Sequence, residues 1–184
     1  MQTLLKDLET RMTAAIDALG REFATVRTGR ASAALLDGLR VDYYGTPTPV
    51  NQMASISVPD ARTLVIQPWE AGQLKAVEKA IIASDLGITP VNDGKLLRLT
   101  MPTPTEERRK QLVKTVHKMA EEARVAVRNV RREANDRLKA MAKDKKVSED
   151  DERRGHDQIQ KATDKHIARV DELLKKKEQE ILSF

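Results

Sequence analysis

Residues 106–146 read EERRKQLVKTVHKMAEEARVAVRNVRREANDRLKAMAKDKK, with no glycine or proline among them. Apolar residues recur in this stretch every three or four positions, which is the spacing of one face of an α-helix. They are Leu112, Val116, Met119, Ala123, Ala126, Val130, Ala134, Leu138 and Met141. At about 1.5 Å per residue the helix would be roughly 60 Å long. A helix of that length needs partners along its whole apolar face.

Two other stretches have the same periodicity and can supply those partners. The first helix has Leu5, Leu8, Met12, Ala15, Leu19, Phe23 and Val26, and its pattern ends near Gly29. The third begins at the capping-box pattern Ser148-Glu149-Asp150-Asp151 and continues through Ile159, Ala162, Val170, Leu173 and Ile181. The connection at residues 145–147 is short enough to make the second and third helices antiparallel. These patterns predict a three-helix bundle.

Residues 30–104 have a different pattern. Six of the seven prolines lie between Pro47 and Pro102. Alternating or β-branched runs predict strands, and one amphipathic segment predicts a short helix. The strands are at residues 39–43, 56–58, 63–66 and 97–99, and the helix is at 74–81. The fold class is therefore α+β: a long three-helix bundle formed by residues 1–29 and 105–184, with a small α+β domain inserted at residues 30–104.

The two linkers of the inserted domain should lie side by side, because the bundle holds both of them. Two adjacent linkers can act as a hinge, and we hypothesise hinge motion of the inserted domain. The predicted hinge residues are Gly29, Arg30, Ala31, Pro102, Thr103, Pro104 and Thr105.

The composition of the 184-residue chain excludes several classes of protein. It has no cysteine, which excludes a disulfide scaffold, a thiol nucleophile and a cysteine-ligated metal. No apolar run approaches the roughly 18 residues of a membrane span, and the N-terminus lacks the apolar core of a signal peptide. The phosphate-loop and HExxH patterns are absent. We therefore expect a cytoplasmic, monomeric protein that is not an enzyme and has no metal and no cofactor.

The positive charge of the chain is concentrated in one segment. The net charge is +5, but residues 105–146 hold fourteen basic and seven acidic side chains, whereas the other segments are neutral or slightly acidic. Arg124, Arg128 and Arg131 are separated by steps of four and three and share one ridge of the helix. Arginine suits phosphate, because its guanidinium can donate two hydrogen bonds to one anion. We favour a nucleic-acid-binding face over a solvated or a membrane-binding face.

The distribution of aromatic residues narrows the kind of nucleic acid. No aromatic residue occurs between Trp69 and Phe184, so the basic helix has no ring on which an unpaired base could stack. Recognition of the backbone and shape of folded RNA or a duplex is favoured over readout of a flexible single strand. In the inserted domain, Trp69 is expected in the core or at its rim, and Tyr43-Tyr44-Gly45 at a turn with one ring buried.

Several blocks of the sequence resemble the ribosome recycling factor family, and the resemblance runs from end to end. The blocks are RTGRAS at 27–32, VDYYGTPTP at 41–49, VEKAI at 77–81, ASDLG at 83–87, TEERRK at 105–110, ARVAVRNVRR at 123–132 and SEDD at 148–151. The resemblance implies an L-shaped molecule without an active site. It also implies that, with elongation factor G and GTP hydrolysis by that partner, the protein splits the post-termination ribosome into subunits and releases mRNA and tRNA.

The resemblance also implies roles for particular residues. Arg109, Arg128 and Arg131 would contact large-subunit rRNA of a 70S-type ribosome, and elongation factor G would push the inserted domain about the hinge. Combined with the charge pattern, the predicted RNA-binding residues are Arg109, Lys110, Arg124, Arg128, Arg131 and Arg132. The alternative is a general helical RNA-binding or chaperone-like protein that has no factor partner.

Overall fold

The computed structural model describes residues 1–183 and contains four α-helices in that range. They are α1 (Gln2–Thr25), α2 (Leu74–Ala83), α3 (Glu106–Lys143) and α4 (Glu149–Leu182). Contacts between Cα atoms divide the chain into two compact units, one of residues 1–28 with 106–183 and one of residues 29–105. None of the described helices is long and apolar enough to cross a membrane.

The first unit is the predicted three-helix bundle, in which α3 packs against both α1 and α4. The start of α4 is confirmed, because the side chain of Ser148 accepts a hydrogen bond from the backbone N–H of Asp151 at 3.1 Å. Helix α3 ends at Lys143, just before the predicted connection at residues 145–147. Lys145 then adopts a left-handed conformation (φ 57°) in the connection to α4.

The buried face of α3 is broader than the predicted apolar stripe. Ala120 and Val127, which lie outside that stripe, are fully buried, whereas Met119 lies at the margin of the core. The reason is that α3 contacts two partner helices. Apolar residues spaced by three and four positions form a stripe one residue wide, which covers only part of so broad an interface. The bundle core continues along its length in two clusters, one around Met12 and Leu138 and one around Leu19 and Val170.

The second unit contains two antiparallel sheets and α2. Strands β1 (Arg40–Tyr43) and β2 (Thr46–Pro49) form a hairpin. Strands β3 (Ala54–Asp60), β4 (Thr63–Pro68), β5 (Val91–Asn92) and β6 (Leu97–Thr100) form a four-stranded sheet in the order β3-β4-β6-β5. Val41, Leu64, Ile66, Val77 and Leu97 lie in one core that joins both sheets to α2. The predicted α+β class, with a sheet domain inserted in a helical bundle, is confirmed.

Two strands of this unit were not predicted from the sequence. The residues of β2 are Thr46-Pro47-Thr48-Pro49, and prolines argue against a strand because they cannot donate to a ladder. They are tolerated here because β2 pairs with β1 alone. Strand β5 has only two residues, too few to show alternation.

Candidate nucleic-acid interface

The structure places all six predicted RNA-binding residues on α3. Lys110 and Arg132 are exposed, whereas Arg109, Arg124, Arg128 and Arg131 are partly buried along the flanks of the helix. Their positions follow from the core, because Leu112, Val116, Val127 and Leu138 turn the opposite side of α3 towards α1 and α4. The outer face therefore keeps its basic character, but its arginines differ in their surroundings.

Arg124 is engaged in the packing of α3 against α4. Its Nε and Nη2 atoms donate to Oδ1 of Asp171 at 3.0 and 2.6 Å, and its side chain is only 19% exposed. These bonds, more than the bond to Glu121, raise the pKa of Arg124 above its usual range. Arg124 therefore links two helices, and three of its five N–H donors are used within the bundle.

The Arg124–Asp171 contact belongs to a repeat that sequence reasoning missed. Acidic residues occur every seven positions on α4, at Asp157, Asp164, Asp171 and Glu178, and basic residues or histidine do so on α3, at Lys110, His117, Arg124 and Arg131. His117 lies 2.6 Å from Glu178, one heptad from the Arg124 contact. Such opposed heptad-spaced charges are typical of the flanks of a helical coiled-coil seam, and this spacing is the signal that would have identified Arg124 as an interhelical residue.

The other flank of α3 is paired with α1. Arg137 donates to Asp7 at 2.6 Å, and Glu133 accepts from Arg11 at 2.7 Å. The ion pairs on one flank join α3 to α4, and those on the other flank join α3 to α1. Further basic side chains form a strip on α3 that runs from its α4 flank to the side that faces away from both partners.

Most cations of that strip have no ion pair in the part of the chain that the structure describes. These are Lys110, Lys114, Arg131, Arg132, Lys139 and Lys143. Arg109 also has no ion pair there, but it lies one heptad before the buried Val116 and is partly buried near the start of α3. The Nε atom of Arg109 is buried without a hydrogen-bond partner. Among the described residues, Arg128 bonds only to Glu121, on its own helix, through Nη1 at 2.9 Å. A surface with this many uncompensated cations can bind a polyanion through its phosphates.

The two linkers of the inserted unit are fixed to the same turn. The backbone N–H of Ala31 donates to the carbonyl of Ala61 at 2.8 Å, and that of Met101 donates to the carbonyl of Arg62 at 2.7 Å. Gly29 has a left-handed conformation (φ 82°), and a Cβ atom there would lie 2.7 Å from Cγ of Pro104. The linkers therefore run side by side, as expected. Ala31, a predicted hinge residue, is buried in the core of the inserted unit.

The aromatic side chains of the inserted unit surround one carboxylate. The hydroxyl groups of Tyr43 and Tyr44 both donate to Glu70, and the two rings pack edge to face with centroids 4.8 Å apart. Tyr44 is 75% exposed and Tyr43 packs partly buried against the core, so alternation shelters one ring more than the other, but neither ring is buried as predicted. Trp69 is 68% exposed and is not a core residue, because Pro68 completes β4 and leaves the following side chain outside the sheet.

The Tyr43–Tyr44–Glu70 cluster predicts a pH-dependent contribution to stability. The hydroxyl of Tyr43, followed by that of Tyr44, lowers the pKa of Glu70 below its ordinary value of 4.5. A carboxylate with a depressed pKa stabilises the folded state above its unfolded pKa, and the contribution disappears as the pH falls through the folded value. We expect the Tyr43→Phe/Tyr44→Phe variant to be less stable than wild type at pH 7, with a difference that shrinks below about pH 4.5.

Denaturant titration followed by the fluorescence of Trp69 measures this difference at pH 7 and pH 3. The matched control is Tyr44→Phe alone, which keeps the bond from Tyr43, the larger cause of the lowered pKa of Glu70, and should show a smaller difference at pH 7. An equal loss of stability at both pH values in the double variant would contradict the charged-carboxylate explanation.

Comparison with known proteins supports the resemblance found in the sequence. The sequence model of the family described as ribosome recycling factor matches residues 19–182. The chain is 60% identical over 184 residues to the ribosome-recycling factor of Carboxydothermus hydrogenoformans, covering 100% of both proteins. It is 57% identical over 182 residues to that of Oleidesulfovibrio alaskensis, covering 99% of each.

Two solved structures show the same architecture over nearly the full length. A solution structure of the ribosome recycling factor superimposes with a TM-score of 0.73 at 42% identity, covering 100% of this chain and 97% of the other. Models of the T. thermophilus ribosome recycling factor and E. coli elongation factor G bound to the E. coli post-termination complex give a TM-score of 0.64 at 50% identity, covering 98% of each chain.

Proposed function

The chain belongs to the ribosome recycling factor family, and from that premise we propose that it acts in the cytoplasm with elongation factor G to split the post-termination ribosome. The subunits separate, mRNA and tRNA are released, and the elongation factor hydrolyses the GTP. The chain contributes binding and mechanical coupling, not a catalytic step. The observation that carries this proposal is full-length similarity to recycling factors, one of which is described together with elongation factor G on a post-termination complex.

The outer face of α3 is the proposed contact with large-subunit rRNA. Its unpaired cations support this role, because phosphate contacts need donors that are not already bound to carboxylates. We assign the contact to Lys110, Arg128, Arg131 and Arg132, together with Arg109 in the first turn of α3. Arg124 donates to Asp171 of α4, so we assign it the role of holding α3 against α4 and not a contact with rRNA. Base stacking has no support on α3, since none of its residues is aromatic.

The proposed moving part is the inserted domain of residues 30–104. Its linkers leave the β3–β4 turn together, and Ala31 and Met101 are fixed there by backbone hydrogen bonds. Bending is therefore assigned to the residues beyond those bonds, Gly29 and Arg30 in one linker and residues 102–105 in the other. A push by the elongation factor on the inserted domain then acts against a bundle held on rRNA.

Linker stiffness can be tested with Pro104→Gly. Proline fixes its own φ angle, and the ring of Pro104 also packs on Gly29, so the variant frees both linkers. A lost backbone constraint is worth about 0.4–1 kcal/mol, and we therefore expect the rate of subunit splitting to fall about two- to fivefold. Ribosome affinity should be nearly unchanged. The measurement is light scattering of post-termination ribosomes, and Pro47→Gly, an exposed proline of β2, is the control. A wild-type splitting rate would show that the stiffness of this linker is irrelevant.

One reconstitution tests the function as a whole. Post-termination ribosomes are incubated with this protein alone, with elongation factor G and GTP alone, and with all three. Subunit release only in the complete mixture supports recycling. If the protein binds folded RNA but no mixture releases subunits, the alternative of a general RNA-binding or chaperone-like protein is supported instead.

A further inference from the structure

One carboxylate lies within the basic outer face of α3. Glu121 is 53% exposed, and it is flanked on the same side of the helix by Arg124 and Arg128. A negative charge at this position repels phosphate, so on charge alone Glu121 lowers the affinity of the outer face for phosphate. The hydrogen bonds of Glu121 suggest a role that offsets this repulsion.

The two oxygens of Glu121 bind two different arginines. Oε2 accepts from Nη1 of Arg124 at 3.0 Å, and Oε1 accepts from Nη1 of Arg128 at 2.9 Å. Arg124 is itself fixed by its two bonds to Asp171 of α4. The result is a continuous chain of hydrogen bonds, Asp171–Arg124–Glu121–Arg128, that begins at the interface of two helices and ends on the outer surface.

The outer end of this chain remains available to a ligand. The side chain of Arg128 is 39% exposed, and Glu121 uses only its Nη1. In the part of the chain that the structure describes, Nε and Nη2 of Arg128 have no hydrogen-bond partner. These two atoms form the edge of a guanidinium that can bind one phosphate through two parallel hydrogen bonds.

We propose that Glu121 is a positioning residue, which holds the guanidinium of Arg128 in place so that its Nε–Nη2 edge faces a phosphate before binding. This inference rests on the proposed rRNA contact of Arg128. Ordering a long side chain in advance removes part of the entropy lost on association, an effect of about two- to tenfold in affinity for one rotamer-rich side chain.

A matched variant separates positioning from charge. Asp136 is an exposed acid of α3 without an ion pair or a hydrogen bond to the described residues, so Asp136→Ala changes the net charge as Glu121→Ala does. On charge alone, both variants should bind ribosomes equally well or slightly more tightly than wild type. Positioning predicts instead that Glu121→Ala binds about two- to tenfold more weakly than Asp136→Ala. Glu121→Gln should lie between them, because its amide oxygen can still accept from Arg128.

The test is a double-mutant cycle on intact ribosomes. Dissociation constants are measured for Glu121→Ala, Asp136→Ala, Arg128→Ala and Glu121→Ala/Arg128→Ala, with a non-specific RNA duplex as a second ligand. The loss caused by Glu121→Ala should be absent in the Arg128→Ala background, because a positioning residue has no effect once its target is removed. On the duplex, Glu121→Ala and Asp136→Ala should behave alike.

Two results would overturn the proposal. One is equal ribosome affinity of Glu121→Ala and Asp136→Ala, and the other is an effect of Glu121→Ala that persists without Arg128. If Arg128→Ala alone leaves ribosome affinity unchanged, the assigned rRNA contact is wrong and the positioning role falls with it. That outcome is distinguishable, because it appears in the single Arg128 variant.

Discussion

Replacing both Arg128 and Arg131 with alanine is expected to weaken binding to post-termination ribosomes by about a hundredfold or more, since a hydrogen bond to a charged group is worth about 1.5–3 kcal/mol. The bundle should stay folded. Arg131 has no ion pair with the described residues, and the bond of Arg128 to Glu121 lies within α3. Neither arginine joins one helix to another, so their loss removes binding groups and leaves the packing intact.

The salt dependence of binding identifies what the two arginines contact. Each lost phosphate contact should reduce the slope of log affinity against log salt concentration by about 0.7–0.9. The control is Lys175→Ala/Lys176→Ala, which removes the same charge from an exposed part of α4 that makes no ion pair among residues 1–183. Ribosome affinity and salt slope are measured over a series of salt concentrations. Equal values for the two double variants would show that the net charge, not the α3 face, determines binding.

The bundle could be predicted from the sequence because its signals are local. Apolar spacing on α3 and the cap at Ser148 each depend on neighbouring residues, and both agree with the structure. The burial of Ala120 and Val127 could not be predicted in the same way. Whether a small residue at the edge of a stripe is buried depends on how closely a second helix approaches. The spacing of apolar residues on one helix gives no information about that distance.

The candidate site likewise combines features that one segment of sequence predicts with features that depend on how two helices pack. The density of cations on α3 is a property of one segment, so the charge pattern of the sequence is sufficient to predict a basic face. The pairing of Arg124 with Asp171 depends on which residues of two antiparallel helices lie opposite each other. That register is set by the turn at residues 144–148, where Lys145 has a left-handed conformation. The side-by-side linkers were predictable because the bundle must hold both ends of the insertion, whereas the burial of Ala31 depends on the sheet that it joins.

The packing of α3 against α4 predicts a large effect on stability for substitutions at Leu138 and Gly155. Leu138 is fully buried, and its Cδ2 atom occupies the space that a side chain at Gly155 would need: a Cβ there would lie 2.7 Å from it. Leu138→Ala should lower the free energy of unfolding by about 2–5 kcal/mol, because it leaves a cavity between the helices. Urea unfolding followed by circular dichroism at 222 nm reports on the helical bundle.

The same contact predicts that Gly155→Ala lowers the free energy of unfolding in the wild-type background and raises it in the Leu138→Ala background. Alanine stabilises a helix interior by about 1 kcal/mol relative to glycine. In the wild-type background this gain is outweighed, since overpacking a core costs about 1–3 kcal/mol. In the Leu138→Ala background the methyl group enters the space that Leu138 vacates, and Cε of Met1, 2.9 Å from the added Cβ, can shift because it ends a flexible side chain, so Gly155→Ala should stabilise by about 1 kcal/mol. Gly20→Ala on α1, where no atom lies within 4 Å of the added Cβ, is the control and should stabilise both backgrounds equally. If Gly155→Ala has the same effect in both backgrounds, Leu138 does not govern the space at Gly155, and flexible neighbours such as Met1 adjust at little cost.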